Sequence, residues 1–108
     1  MKRFLKWFFA IVVGLVVVVG GALYAETSLY NGCLAAAQKR GDVSDCHAFL
    51  RYFSWRNGAG GAHYHRGLVY KAAGETDKAI EDFRAALRIN EPGSSLAQDQ
   101  LTELGATP

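Results

Sequence analysis

Residues 7–25, WFFAIVVGLVVVVGGALYA, run for nineteen positions without a charge, and no other feature constrains the chain as strongly. As a helix rising 1.5 Å per residue the run is about 28 Å long, close to the hydrocarbon thickness of a bilayer. A helix pairs every backbone polar group within itself, so such a segment is stable in lipid. Trp7 and Tyr24 stand at its two ends, where amphipathic rings favour the headgroup region. Lys2, Arg3 and Lys6 precede the run and only Glu26 directly follows it, which favours an N-inside orientation with the remainder exported. The expectation is a signal anchor over residues 1–26. Compactness and the export signal add a bacterial inner membrane, single-pass, N-terminus cytoplasmic and C-terminal part periplasmic.

The competing reading is a cleaved signal peptide. Its basic start fits, but its apolar core spans about 7–15 residues and this one is longer. Cleavage after Ala25 puts Leu23 at −3, where a small residue is preferred; cleavage after Ala22 puts Gly20 there but cuts into the run. Ala10, Gly14, Gly21 and Ala25 fall on one side of the helix, a small-residue stripe of the kind that lets membrane helices approach closely. Gly and Ala are also common in such spans without that role.

Beyond residue 25, nine Lys and Arg face ten Asp and Glu, because three of the 12 basic residues precede the run. The overall +2 charge is therefore no sign of a nucleic-acid partner, which needs a concentrated basic face. The remainder suffices for one small domain with a thin core. No strand-length alternation occurs, so the class is all-α, one transmembrane helix followed by about five helices. Helical stretches are expected over about residues 28–40, 45–55, 62–73 and 77–89, with a last one presenting Leu96, Leu101 and Leu104. Gly41-Asp42 stops the first, Ser44 caps the second, and residues 57–61 (NGAGG) read as a flexible break. Ser95 and Gln98 read as a capping box for the last. Cys46, Phe49, Leu50 and Phe53 form one apolar face, and Ala79, Ile80, Phe83, Ala86 and Leu87 another.

Residues 62–92, AHYHRGLVYKAAGETDKAIEDFRAALRINEP, resemble a tetratricopeptide repeat, a 34-residue helix–turn–helix unit. Gly67 stands where the motif needs a small residue, Tyr70 at its aromatic position, and Gly74 ends the first helix. Ala79 opposes Gly67, and Phe83 and Ala86 continue the inner face. His63 replaces the favoured Trp, Arg66 the usual Leu, and Pro92 comes one residue late. The resemblance implies a TPR-like helical-hairpin solenoid: a degenerate hairpin at 27–57, a repeat at 60–93, and a capping helix and tail at 94–108. It also implies a protein–protein interaction role, with Tyr64, Leu68 and Lys71 at the family's concave positions; packing on the first helix is the alternative for them. Solenoid repeats need neighbours, about three for stability, which suits an accessory subunit or adaptor completed by a membrane complex. A soluble periplasmic peptide-binding module is the alternative if the leader is removed.

With Gly41 aligned on Gly74, Cys33 and Cys46 fall near the closest approach of the first hairpin, where export permits a disulfide. Two buried small hydrophobes are the other reading. Tyr52 and Trp55, flanked by Arg51 and Arg56, suit either a protein-binding edge or lipid headgroups. His63 and His65 lie about 200° apart on a helix and do not share a metal. Lys78 with Asp82 and Glu81 with Arg84 read as surface pairs. No nucleophile with its base and no phosphate-binding loop can be assembled. The expectation is therefore no enzyme, cofactor or small-molecule substrate, with protein and bilayer as partners.

Overall fold

No glycine or proline interrupts Glu26-Thr27-Ser28, and the apolar run continues without a break into the first helix of the soluble part. The computed structural model describes residues 1–39 and 42–108. It holds α1 (Lys2–Lys39), α2 (Ser44–Phe53), α3 (Ala59–Ala72), α4 (Thr76–Ile89) and α5 (Ser94–Glu103), with no strand among the described residues. The all-α class is as expected, and α1 is long and apolar enough to cross a membrane. Anchor and first hairpin helix, read from sequence as neighbours meeting near residue 27, are one 38-residue helix. Thr27, a weak point by propensity, is tied into it by its hydroxyl, which donates to the Leu23 carbonyl at 3.0 Å.

Three boundaries differ from the sequence reading for identifiable reasons. The stop at Gly41 lies outside the described residues. At the start of α2 the N-cap position is Val43, which has no side-chain bond to give, and Asp42 just before it accepts the Ser44 N–H at 2.9 Å and the Ser44 hydroxyl at 3.0 Å, so Ser44 is the first helical residue. The same bonds, the backbone one foremost, hold the Asp42 carboxyl below the usual carboxylate range. The stretch read as a flexible break is the first turn of α3, entered through Gly58 at φ 104°. Its glycines serve packing: a Cβ on Gly60 would lie 3.0 Å from Glu91 Oε2, and one on Gly61 2.7 Å from the Tyr30 hydroxyl. The expected capping box at Ser95 is also replaced, since α5 begins at Ser94 behind Gly93, which takes φ 95°.

Two cores result. Cys33, Cys46, Phe49 and Ala62 are buried together where α1, α2 and α3 meet, with Leu29, Tyr30, Leu50 and Phe53 packed around them. Ala79, Phe83, Ala86, Ala97 and Leu101 form the second, between α4 and α5 with Tyr64 and Leu68 of α3 against it. Cys33 and Cys46 are joined by a disulfide, Cα to Cα 4.6 Å. Of the leucines expected inside α5, Leu101 is buried and Leu104 half-buried, whereas Leu96 is 50% exposed. Ala97 takes the inner position beside it.

Candidate docking groove

Helices α1, α3 and α5 each contribute side chains to one concavity. Tyr30 comes from α1, Tyr64 and His65 from α3, and Leu96 from α5, around a cavity of about 150 Å³ closed on one side by Glu91, Pro92 and Gly93. Tyr30 meets Phe49 edge-on at 5.5 Å and His65 at 6.2 Å, so the first core continues into the groove wall. Tyr64 stands against His65 at 5.5 Å and Phe83 at 5.9 Å. Pockets for drug-sized ligands run to ~300–1,000 Å³, so this cavity is of the size of one apolar side chain.

Glu91 fixes the geometry of the wall. Its carboxylate accepts the Gly58 N–H and the Gly60 N–H, each at 3.1 Å, and so satisfies donors that the first turn of α3 leaves open. A negative group at a helix N-terminus is favoured by the helix dipole as well. The end of α4 is thereby bound to the start of α3. Deeper in the groove, burial pushes the His65 imidazole below its ordinary value, and its Nδ1 is buried without a hydrogen-bond partner. Burial likewise raises the Tyr64 phenol.

The residues expected to bind a partner divide between two places. Tyr64 lies on the groove wall. Leu68 packs on the second core. Lys71 is engaged by α5, donating to Gln100 Oε1 at 2.7 Å and pairing with Glu103 Oε1 at 3.0 Å. Tyr64, Leu68 and Lys71 thus face the capping helix, which occupies the surface a following repeat would cover. Tyr52 and Trp55 lie elsewhere, at the end of α2 and in the turn just beyond it, 62% and 75% exposed. Trp55 Nε1 donates to the Tyr52 carbonyl at 3.2 Å, and the Arg56 guanidinium lies 5.3 Å from the Trp55 ring centre. Along α1, Ala10, Gly14 and Gly21 are exposed with nothing near the two glycines, and Ala25 is half-buried at the edge of the soluble part.

A polar cluster behind the groove corrects the expected surface pair of Lys78 with Asp82. Asp82 is 3% exposed and bonded to α3: Arg66 Nε donates to Oδ2 at 2.8 Å and Arg66 Nη2 to Oδ1 at 2.6 Å, with His63 Nδ1 3.0 Å from Oδ1. Lys78 pairs instead with Glu75 at 3.1 Å. Arg66 also reaches His47 of α2 at 2.9 Å, so the cluster links the first hairpin to the second. His63 and Arg66, the two departures from the repeat pattern on α3, are the partners of one buried carboxylate; their joint polarity was the available sign. Glu91, His65 and Tyr30 carried no comparable sign, because Glu91 and Tyr30 meet partners about thirty residues away and His65 Nδ1 has no hydrogen-bond partner among the described residues.

Residues 61–91, which hold most of α3, all of α4 and the Glu91 cap, match the family described as tetratricopeptide repeat. No curated protein and no solved structure matches the chain.

Proposed function

With residues 61–91 a tetratricopeptide repeat, we propose that the chain is a membrane-anchored protein–protein interaction module, an accessory subunit or adaptor of a larger membrane complex, without catalytic activity of its own. Repeats of this kind present a surface lined by successive first helices. The observation that carries the reading is the groove of Tyr30, Tyr64, His65 and Leu96, assembled from α1, α3 and α5 and sized for an apolar side chain. Leu96 is the exposed apolar anchor on its rim. An aromatic-walled pocket with one accessible aliphatic contact suits an extended segment of a partner protein inserting a hydrophobic residue. Because α1 passes into the groove wall through Tyr30 without a joint, the groove is held at a fixed distance from the apolar run. That favours a partner whose docking segment also lies close to the membrane, in the periplasm if the N-terminus is cytoplasmic.

The test is capture from mild-detergent membranes with a C-terminal tag, partner identification by mass spectrometry, and the intact mass of the bait in the same run. A full-length mass, resistance to carbonate extraction and a stoichiometric integral-membrane partner lost in Leu96→Glu support the reading. A partner held equally by Leu96→Glu places docking outside the groove. A bait lacking its first 22–25 residues, with no integral partner, replaces the adaptor with a soluble module.

A further inference from the structure

Two independent ties fix how far α2 returns along α1. The disulfide levels Cys46 with Cys33, and α2 then runs back antiparallel. Eight residues beyond Cys46 is Ser54, and eight before Cys33 is Ala25, each a displacement of about 12 Å along the helix. The second tie gives the same level: Arg56 Nε meets Glu26 Oε1 at 3.1 Å. The turn between α2 and α3 therefore sits where α1 leaves its apolar run. Glu91, bonded to Gly58 and Gly60, brings the end of α4 to the same edge, with Arg88 and Ile89 on it.

The chemistry of that edge is distinctive. Tyr24, Tyr52 and Trp55 are 77%, 62% and 75% exposed. Arg51 lies over the Tyr52 ring at 5.7 Å, and neither Arg51 nor Arg88 has a carboxylate partner among the described residues. The two carboxylates nearby are committed, Glu26 to Arg56 and Glu91 to the amides of α3. The opposite edge carries Asp42, Glu75 and Asp77, all exposed. Aromatic rings and arginines gathered at the end of an apolar helix, with acids held away, match the headgroup layer of an anionic bilayer.

Resting on the anchor reading above, we propose that this edge lies on the bilayer surface, with Trp55 and Tyr52 among the lipid headgroups and Arg51 and Arg88 against anionic lipid phosphates. The repeat then lies on the membrane with its axis of stacking along the surface, and the groove opens just above it.

Trp7 and Trp55 are the chain's two indoles, which makes the test direct. The full chain is reconstituted in phosphatidylcholine–phosphatidylglycerol vesicles containing headgroup spin-labelled lipid. Trp7→Phe leaves Trp55 as reporter, and Trp55→Phe leaves Trp7. The proposal expects Trp55 emission to fall about twofold in labelled vesicles, as for an interfacial ring, with protection from acrylamide that Arg51→Glu with Arg88→Glu weakens. If Trp7 is quenched while Trp55 stays bright and open to acrylamide, the anchor stands and the proposal is overturned. If neither is quenched and the chain elutes in carbonate, the anchor reading itself has failed, and the proposal with it. Protection of Trp55 in native membranes but not in pure lipid would assign the edge to a protein and equally overturn it.

Discussion

Arg66 grips Asp82 with two hydrogen bonds, Nε to Oδ2 and Nη2 to Oδ1, inside the contact between α3 and α4. Where the repeat pattern usually has Leu, this chain has Arg66 in a nearly buried ion pair with Asp82. Breaking one partner of such a pair strands a charge, which costs about 3–5 kcal/mol, whereas replacing both by well-packed apolar groups is often neutral or better. Arg66→Leu is expected to lower stability by an amount near that range. Arg66→Leu combined with Asp82→Leu is expected to recover most of it. Urea unfolding of the detergent-solubilised chain checks both; a double variant as weak as the single one would mean the pair itself holds the helices.

The same cluster sets an acid limit. Burial pushes the Asp82 carboxyl up, but the Arg66 and His63 hydrogen bonds and charges outweigh it and hold the group below its ordinary 3.8. A depressed carboxylate contributes stability in full above the unfolded value, and the contribution is lost as pH falls through the folded one. His65 is also depressed, by burial, below its ordinary 6.5, so its loss begins as pH drops beneath that value. A melting-temperature profile should therefore show a shallow decline starting near pH 6.5 and a steeper one below about pH 4. His65→Leu should remove the first and Asp82→Asn reduce the second. A shallow decline that persists in His65→Leu would assign it to another group.

Gly67 is the site where α3 and α4 leave no room for a side chain. A Cβ there would lie 2.6 Å from Cε1 of Phe83, whose ring is wholly buried and has nowhere to retreat. Alanine gains roughly 0.5–1 kcal/mol of helix propensity over glycine, but forcing an extra methyl into a packed core costs about 1–3 kcal/mol. Gly67→Ala should be a net loss, partly relieved by Phe83→Leu. Additive effects in the double variant would show that the two positions do not meet.

What was legible in the sequence was local. The span, the helical periods and the alanine-and-phenylalanine face of α4 all follow from spacing along one element, and Phe49 and Cys46 are buried where the α2 pattern puts them. What was not legible depends on partners distant in sequence. Glycines 60 and 61 read as a hinge because their reasons, Glu91 and Tyr30, lie about thirty residues away on either side. Asp82 read as a surface acid because Lys78 stands at the right helical interval, while its actual partners are on α3. Lys71 read as a contact for an outside partner because the order of residues does not say which side chains the capping helix α5 offers it, here Gln100 and Glu103. Periodicity reports which face of a helix is inward, and polar residues on that face are misassigned unless their partners are sought on the neighbouring helix.

The two cores make the disulfide's effect local. Cys33 and Cys46 are fully buried in the first core, and α2 has only ten residues, too few to hold as a helix without tertiary support. Closing a loop of about fourteen residues is worth about 3 kcal/mol in the loop-entropy model. The second core, around Phe83 and Leu101, contains neither cysteine. Cys33→Ala with Cys46→Ala should therefore speed amide exchange across α2 by about two orders of magnitude, since 1.4 kcal/mol is a factor of ten. The amides of α4 should change far less. His47 makes polar links that would carry the loss onward, to Arg66 at 2.9 Å and to the Tyr70 hydroxyl at 3.4 Å, and His47→Ala in the same background tests whether they do. Equal acceleration in α2 and α4 would show that the two hairpins open as a single unit and that the disulfide secures the whole soluble part.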